Sequence, residues 1–116
     1  MSENITAKVE FDGLFLNVDR SIDNIVTVNV EGRLETANSI HFLNYMTEVI
    51  DSTSSGCDLI LSMADLYYVS STGIGAFTTI LVNSKKRNIK FFIKDMQPKV
   101  MSVFELLGFT AFFNFI

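Results

Sequence analysis

The stretch YYVSSTGIGAF, residues 67–77, decides the fold, because it joins an apolar run to an amphipathic pattern through three hydroxyl side chains and two glycines. Ser and Thr are favoured at helix starts, where their oxygens accept hydrogen bonds from backbone N–H groups that have no partner in the helix. The stretch therefore predicts a strand that turns into a helix. The hydroxyl cluster has four interpretations: helix capping, a phosphate cradle, a nucleophile, or a surface that another protein modifies.

Upstream of this junction, two segments alternate β-branched or apolar residues with polar ones. They are LFLNVDRS, residues 14–21, and NIVTVNVEG, residues 24–32. The short connection through Asp23 and Asn24 has turn chemistry, so the pattern predicts an antiparallel hairpin. Gly32 is expected to end the second strand.

The segment ETANSIHFLNYMTEVIDSTSS, residues 35–55, has apolar residues at helical spacing. One predicted face carries Ile40, Leu43, Thr47 and Ile50, with Phe42, Met46 and Val49 beside it. Gly56 follows the polar end of the segment and is expected to mark the exit from the helix.

The rest of the chain alternates strand and helix patterns. The sequence predicts a strand in CDLILSM that ends near Met63, a helix in IGAFTTILVNSKKRN and a buried strand in IKFFIKDM. Pro98 is expected to begin a third helix that ends at Gly108. FTAFFNFI is expected to form a last strand or a docked extension. Strands separated by helices of this length require crossover connections and parallel pairing. The expected fold class is therefore α/β.

Composition excludes several kinds of function. The chain has 116 residues and a net charge of −4, and its one short basic run is Lys85–Arg87, which argues against a nucleic-acid or membrane-binding surface. Neither a signal peptide nor a run long enough to span a membrane is visible. A single cysteine, Cys57, allows no internal disulfide, and we expect a cytoplasmic protein.

The chain has one histidine, His41, and one cysteine, so it lacks the Cys/His spacings of zinc sites. A histidine-based catalytic triad is not expected either. A hydrolase with Ser71 as nucleophile and His41 as base would lack the usual elbow motif around the serine. The turn STGIG also lacks the lysine of a Walker loop, although nucleotide binding at the helix start stays open. We expect no metal, no cofactor and no catalytic residue.

Three segments resemble the STAS domains of the anti-sigma factor antagonist family. VSSTGIG, which follows DLILSMADLYYV, resembles the family's turn with a phosphorylatable serine. VNVEGRLETANS resembles the family's strand-Gly-Arg-Leu segment. Residues 89–115 resemble its closing strand, helix and Phe-containing end. The resemblance covers residues 14–116, and residues 1–13 would be an extension or an edge strand. It implies a single STAS-like domain with a four- to five-stranded mixed sheet and about three to four helices packed mainly on one face.

By position, the resemblance makes Ser71 the phosphoacceptor. The residues expected to bind a partner are Ser70, Thr72, Gly73, Ile74, Gly75, Arg33 and Glu35, although Arg33 and Glu35 could equally be solvated loop charges. The implied role is a non-enzymatic partner switch: the unmodified domain binds an anti-sigma factor that is also a serine kinase of the histidine-kinase-like ATPase type. Phosphorylation of Ser71 then releases the domain, and a phosphatase resets it.

The sequence departs from the family pattern at two positions. Ser70 and Ser62 stand where the family commonly has Asp, and Asp65 is a candidate substitute for the missing acid. This departure favours an alternative, a STAS scaffold subunit of a signalling or transporter-associated complex in which Ser71 is not modified. The tail residues Phe109, Phe112, Phe113 and Phe115 are expected to pack in the core; if exposed, they would favour a homodimer.

Overall fold

The computed structural model describes residues 4–116, which form one six-stranded mixed sheet with three α-helices. Among these residues the strand order along the sheet follows the chain, from β1 to β6. The strands are β1 Val9–Phe11, β2 Leu14–Ile22, β3 Ile25–Leu34, β4 Asp58–Val69, β5 Lys90–Lys94 and β6 Asn114–Phe115, and the helices are α1 Thr36–Asp51, α2 Ser71–Lys86 and α3 Pro98–Leu106. Residues 1–3 of the predicted N-terminal extension lie outside the described residues.

The predicted hairpin is confirmed, since β2 and β3 pair antiparallel through a turn at Asp23 and Asn24. The pairs β3–β4, β4–β5 and β5–β6 are parallel, and each is joined by a crossover that contains a helix. The α/β prediction is therefore confirmed. The sheet exceeds the expected four to five strands because β1 and β6 have only three and two residues, too few to show alternation.

The core lies between the sheet and the three helices. Every second strand residue is buried toward the helices, for example Leu16, Val28, Leu61 and Ile93, which are at most 3% exposed. The opposite set of strand residues is not fully buried. We call that side of the sheet the open face.

The apolar face predicted for α1 was partly wrong. The helix buries Phe42, Met46, Val49 and Ile50, but Ile40 is 56% exposed. The buried stripe of α1 contains Phe42, Met46 and Val49, which were predicted to lie beside the apolar face. Helical spacing alone could not separate the two stripes, because apolar residues occupy both.

Strands β3 and β4 are both longer than expected. β4 continues past Met63 to Val69, and β3 continues past Gly32 to Leu34. Register shifts between these two strands interrupt their alternation, which hid the extensions from sequence patterns. Gly32 does not end a strand: its φ is +100°, and an added Cβ would lie 2.2 Å from the carbonyl oxygen of Gly13.

The phenylalanine-rich tail is mostly core. Phe113 is 7% exposed and its ring packs edge-on against Phe104, while Phe109 and Phe115 are partly buried. Phe112 is the exception, at 63% exposed. No helix within residues 4–116 has the length and apolar content to cross a membrane.

One polar atom in this core has no partner. Ser84 lies on the buried face of α2, and its Oγ makes no hydrogen bond among the described residues. Burying a hydroxyl without a partner is unfavourable, and Ala is the better helix former. We expect Ser84→Ala to raise the free energy of unfolding by up to about 1 kcal/mol. Urea denaturation measures this, and a clear loss of stability would mean that the hydroxyl has a partner.

Candidate functional site

The hydroxyl cluster lies where β4 ends and α2 begins, and Ser70 is the residue that joins them. Its backbone N–H donates to the carbonyl oxygen of Leu34 at 2.9 Å, which ties the turn to the end of β3. Its Oγ accepts a hydrogen bond from the backbone N–H of Gly73 at 3.1 Å. Ser70 is therefore the N-cap of α2, and this capping does not need the carboxylate that the family pattern has at this position.

Ser71 and Thr72 occupy the first turn of α2, and both are exposed. Thr72 contacts the start of α1, since the hydroxyl of Thr36 donates to its Oγ1 at 3.2 Å. The hydroxyl of Ser71 makes no hydrogen bond within residues 4–116. Of the three clustered hydroxyls, Ser71 is the one that capping and helix contacts leave available.

The two glycines of this turn have different roles. A Cβ on Gly73 would lie 2.8 Å from Cγ of Leu34 and 3.1 Å from Cγ2 of Val69, so the α2 backbone packs directly on these side chains. A Cβ on Gly75 would meet nothing within 4 Å. Gly73 therefore serves packing, whereas Gly75 leaves the surface beside it open.

That open surface is a shallow groove between α1 and α2. Its volume is about 210 Å³, and its lining is largely apolar. The exposed side chain of Ile40 forms one wall, and Thr72 and Gly75 lie on the other. The complete lining is Ser39, Ile40, Leu43, Thr72, Gly75, Ala76 and Thr79. Ile40 was not predicted to belong to the site, because the helical spacing placed it on the apolar face of α1.

Arg33 and Glu35 form an ion pair where β3 leads into α1, and Arg33 lines a surface pocket with Asp65 and Tyr67 rather than the α1–α2 groove. Nε of Arg33 donates to Oε2 of Glu35 at 2.5 Å, and the two side chains are 43% and 39% exposed. The Glu35 carboxylate, and after it the nearby Tyr67 hydroxyl, raises the pKa of Arg33 above its usual value. The two residues thus contact each other at the surface.

Asn38 is a site-organising residue that the sequence analysis missed. It is fully buried, and its Nδ2 donates to the carbonyl oxygens of Asp12 at 3.1 Å and Arg33 at 3.0 Å. Its Oδ1 accepts from the backbone N–H of Glu35 at 2.9 Å. One amide thus joins the β1–β2 turn, the end of β3 and the start of α1. Its position three residues after the helix N-cap was the only local signal.

The other candidate residues lie away from the hydroxyl cluster. His41 is on α1, as expected, but its ring stacks on Phe11 with centroids 5.3 Å apart, and no hydrogen bond joins it to Ser71 in the described chain. Asp65 lies on the open face with Lys8 and Glu31 rather than in the groove. Ser62 is also on the open face. Residues 4–116 contain no cluster of three potential metal ligands.

The architecture is a two-layer α/β domain whose parallel strands end at a rigid, solvent-facing helix start. The STAS domain family model matches residues 18–116, and the chain belongs to the STAS domain family. The resemblance seen in the sequence is therefore confirmed.

Proteins of several kinds are similar to this chain. The anti-sigma-B factor antagonist of Bacillus subtilis (strain 168) is 22% identical over 94 residues, which are 80% of this chain and 84% of that protein. The anti-sigma factor antagonist SpoIIAA in its unphosphorylated form has a similar fold, with a TM-score of 0.70 at 14% identity over 87% of each chain. A sulfate transporter family protein of Wolinella succinogenes superimposes with a TM-score of 0.65 at 14% identity, over 78% of this chain and 71% of that one.

Alanine at the two glycines gives a matched test of the site geometry. We expect Gly73→Ala to lower the free energy of unfolding by about 1–3 kcal/mol, because the new methyl overlaps the Leu34 side chain. Gly75→Ala should raise it by about 0.5–1 kcal/mol, because the methyl has open space and Ala favours the helix. Urea denaturation of both variants measures the difference. Equal effects of the two substitutions would contradict the packing described here.

Proposed function

We propose that this chain is an anti-sigma factor antagonist that acts by partner switching in the cytoplasm. In its unmodified form it binds an anti-sigma factor that is also a serine kinase of the histidine-kinase-like ATPase type. The kinase phosphorylates Ser71, the complex dissociates, and a phosphatase restores the binding form. The observation that carries the proposal is the exposed Ser71 hydroxyl at the start of α2, which makes no hydrogen bond within the described residues.

The helix start can accept a phosphate without unfolding. Phosphorylation adds about −1.5 to −2 of charge, and a helix N-terminus favours negative charge there. The first turn of α2 has no acidic residue that would oppose it. The modified domain should therefore keep its fold, so the switch acts on the surface rather than on stability.

The neighbouring groove gives the switch its effect on binding. An apolar groove takes an apolar side chain of the partner, and the new charge would stand at its edge, where Thr72 and Gly75 lie. Burying a doubly charged phosphate in such an interface is strongly unfavourable unless the partner pairs it. The proposed contact surface consists of residues 70–75, the groove, and the Arg33–Glu35 pair.

In this mechanism the chain is a substrate and a ligand, not an enzyme. ATP and its metal ion belong to the kinase. The names of related proteins support the same role, since SpoIIAA has been solved in unphosphorylated and phosphorylated forms and the curated relative is an antagonist of an anti-sigma factor.

A second candidate is a STAS scaffold subunit in which Ser71 stays unmodified. Two observations favour it: the likeness to a sulfate transporter family protein, and Ser70 in place of the acid that the family pattern carries beside the phosphoacceptor. The two candidates share the groove and differ only in the chemistry at Ser71.

Phosphate mapping separates the candidates. We expect mass spectrometry of protein from its native cells to find a phosphate on Ser71 that is absent from Ser71→Ala. Thr72→Ala is the matched control, because Thr72 is also exposed but is engaged with Thr36, and it should leave the Ser71 phosphate in place. Protein that carries no phosphate on Ser71 in any growth phase, yet purifies in a stable complex, would favour the scaffold.

The groove can be tested without touching the hydroxyls. Ile40→Asp should lower partner affinity by about tenfold or more, because it puts a charge in an apolar contact. Val82→Asp is the control, since Val82 is similarly exposed, at 49% against 56% for Ile40, but does not line the groove. Recovery of the partner kinase on immobilised variants measures the effect. An equal loss of partner recovery with both variants would show that the groove is not part of the contact surface.

A further inference from the structure

The open face of the sheet holds a pocket to which the proposed function assigns no ligand. Its volume is about 540 Å³, a size that small-molecule sites in proteins commonly have. Residues at the start of β2 and at the ends of β3 and β4 line it. We call it the open-face pocket.

Arg33 brings a positive charge to this pocket and is held there by the backbone. Its N–H donates to the carbonyl oxygen of Gly13 at 3.2 Å. A Cβ on Gly13 would lie 3.0 Å from Cζ of Arg33, so the guanidinium group lies directly against the Gly13 backbone. Among the described residues only Nε is engaged in a side-chain hydrogen bond, with Glu35. The two Nη groups of Arg33 are therefore available to a ligand.

Asp65 brings a carboxylate to the same pocket. In the strand register Asp65 lies beside Glu31, and Glu31 lies beside Phe15, so the three residues form a row across β4, β3 and β2. The ammonium group of Lys8 bonds to Glu31 at 2.6 Å. Asp65 forms neither an ion pair nor a side-chain hydrogen bond within residues 4–116. Because like charges on neighbouring strands repel each other, a cation placed next to Asp65 would be stabilising.

Two aromatic side chains complete the lining. Phe15 is partly buried, and Tyr67 is 54% exposed with its hydroxyl near the Arg33 guanidinium. An organic ammonium group is attracted to the face of an aromatic ring as well as to a carboxylate. The pocket therefore offers a place for a cation at Asp65 and Phe15, and a place for an anion at Arg33 and Tyr67.

The mixture of charges decides which kind of ligand fits. Arg33 is in register with Tyr68, three residues beyond Asp65 on β4, so the positive and negative groups lie at different ends of the pocket. An anion alone would face Asp65 and Glu31, and a cation alone would face Arg33. An uncharged molecule would take water from these charged groups without replacing its hydrogen bonds. A molecule with one charge of each sign satisfies both ends.

We propose that the open-face pocket binds a small zwitterion of the amino-acid class. The ligand's ammonium group contacts the Asp65 carboxylate and the Phe15 ring. Its carboxylate accepts hydrogen bonds from the Nη groups of Arg33, a pairing whose geometry suits a guanidinium group. The pocket lies on the side of the sheet opposite the three helices, so Ser71 stays accessible, and the inference does not rest on phosphorylation.

Isothermal titration calorimetry of the whole chain with each of the common L-α-amino acids tests the site. We expect at least one of them to bind at millimolar or lower concentrations. Asp65→Asn and Arg33→Gln should each weaken that binding by about tenfold or more, because each removes a charge-assisted contact. Asp58→Asn and Arg20→Gln are the matched controls, since they make the same changes on β4 and β2 outside the pocket, and they should bind like the wild type.

Derivatives of the bound amino acid show which charge each residue holds. The N-acetyl derivative lacks the cation, and the amide lacks the carboxylate. We expect N-acetylation to weaken binding to the wild type by about tenfold or more but to have little further effect on Asp65→Asn. The amide should show the same relation with Arg33→Gln.

Circular dichroism checks that each variant is folded. The proposal is overturned if no amino acid gives a heat of binding at millimolar concentrations, or if the two pocket variants bind like the wild type. Equal losses in the pocket variants and their controls would overturn it as well. So would an N-acetyl derivative that binds the wild type as tightly as the amino acid does, because the ammonium group would then make no contact.

Discussion

The close approach of Gly73 to Leu34 is the constraint on which the site depends. Because Gly73 has no side chain, the backbone of α2 rests directly on the end of β3. The Leu34 carbonyl also accepts the N–H of Ser70, so one residue of β3 holds both the turn and the helix that follows it. This arrangement leaves Ser71 at the surface on a rigid support, and a rigid support is what positions a side chain accurately for recognition by another protein.

Asn38 provides the second fixed point. A buried amide is tolerated only when its donors and acceptor are satisfied, and three backbone groups from three separate segments satisfy this one. It holds the start of α1, while Gly73 holds the start of α2. Both walls of the groove are therefore anchored at their N-terminal ends, next to the Thr36–Thr72 contact.

The order of strands and helices could be predicted from the sequence because alternation and helical spacing are local properties. Likewise, the capping preference of hydroxyls indicated the helix start around Ser70. The length of β4 could not be predicted, because register shifts against β3 break the alternation after Met63. The role of Asn38 could not be predicted for another reason. One of its hydrogen-bond partners, Asp12, is 26 residues away along the chain, and only the folded structure brings the two residues together.

The unequal lengths of β4 and β5 divide the sheet into two parts of different local stability. Only Asp58–Ser62 of β4 has β5 as a neighbour, whereas Met63–Val69 is paired on the β3 side alone. On the other side of this half, Gln97 donates a single side-chain hydrogen bond to the Ala64 carbonyl. Amide hydrogens there need smaller openings to exchange with solvent than those in the first half of the strand. The end of β4 that leads into the site is therefore held mainly by β3 and by its own buried side chains Met63, Leu66 and Val69, and less by a second strand neighbour.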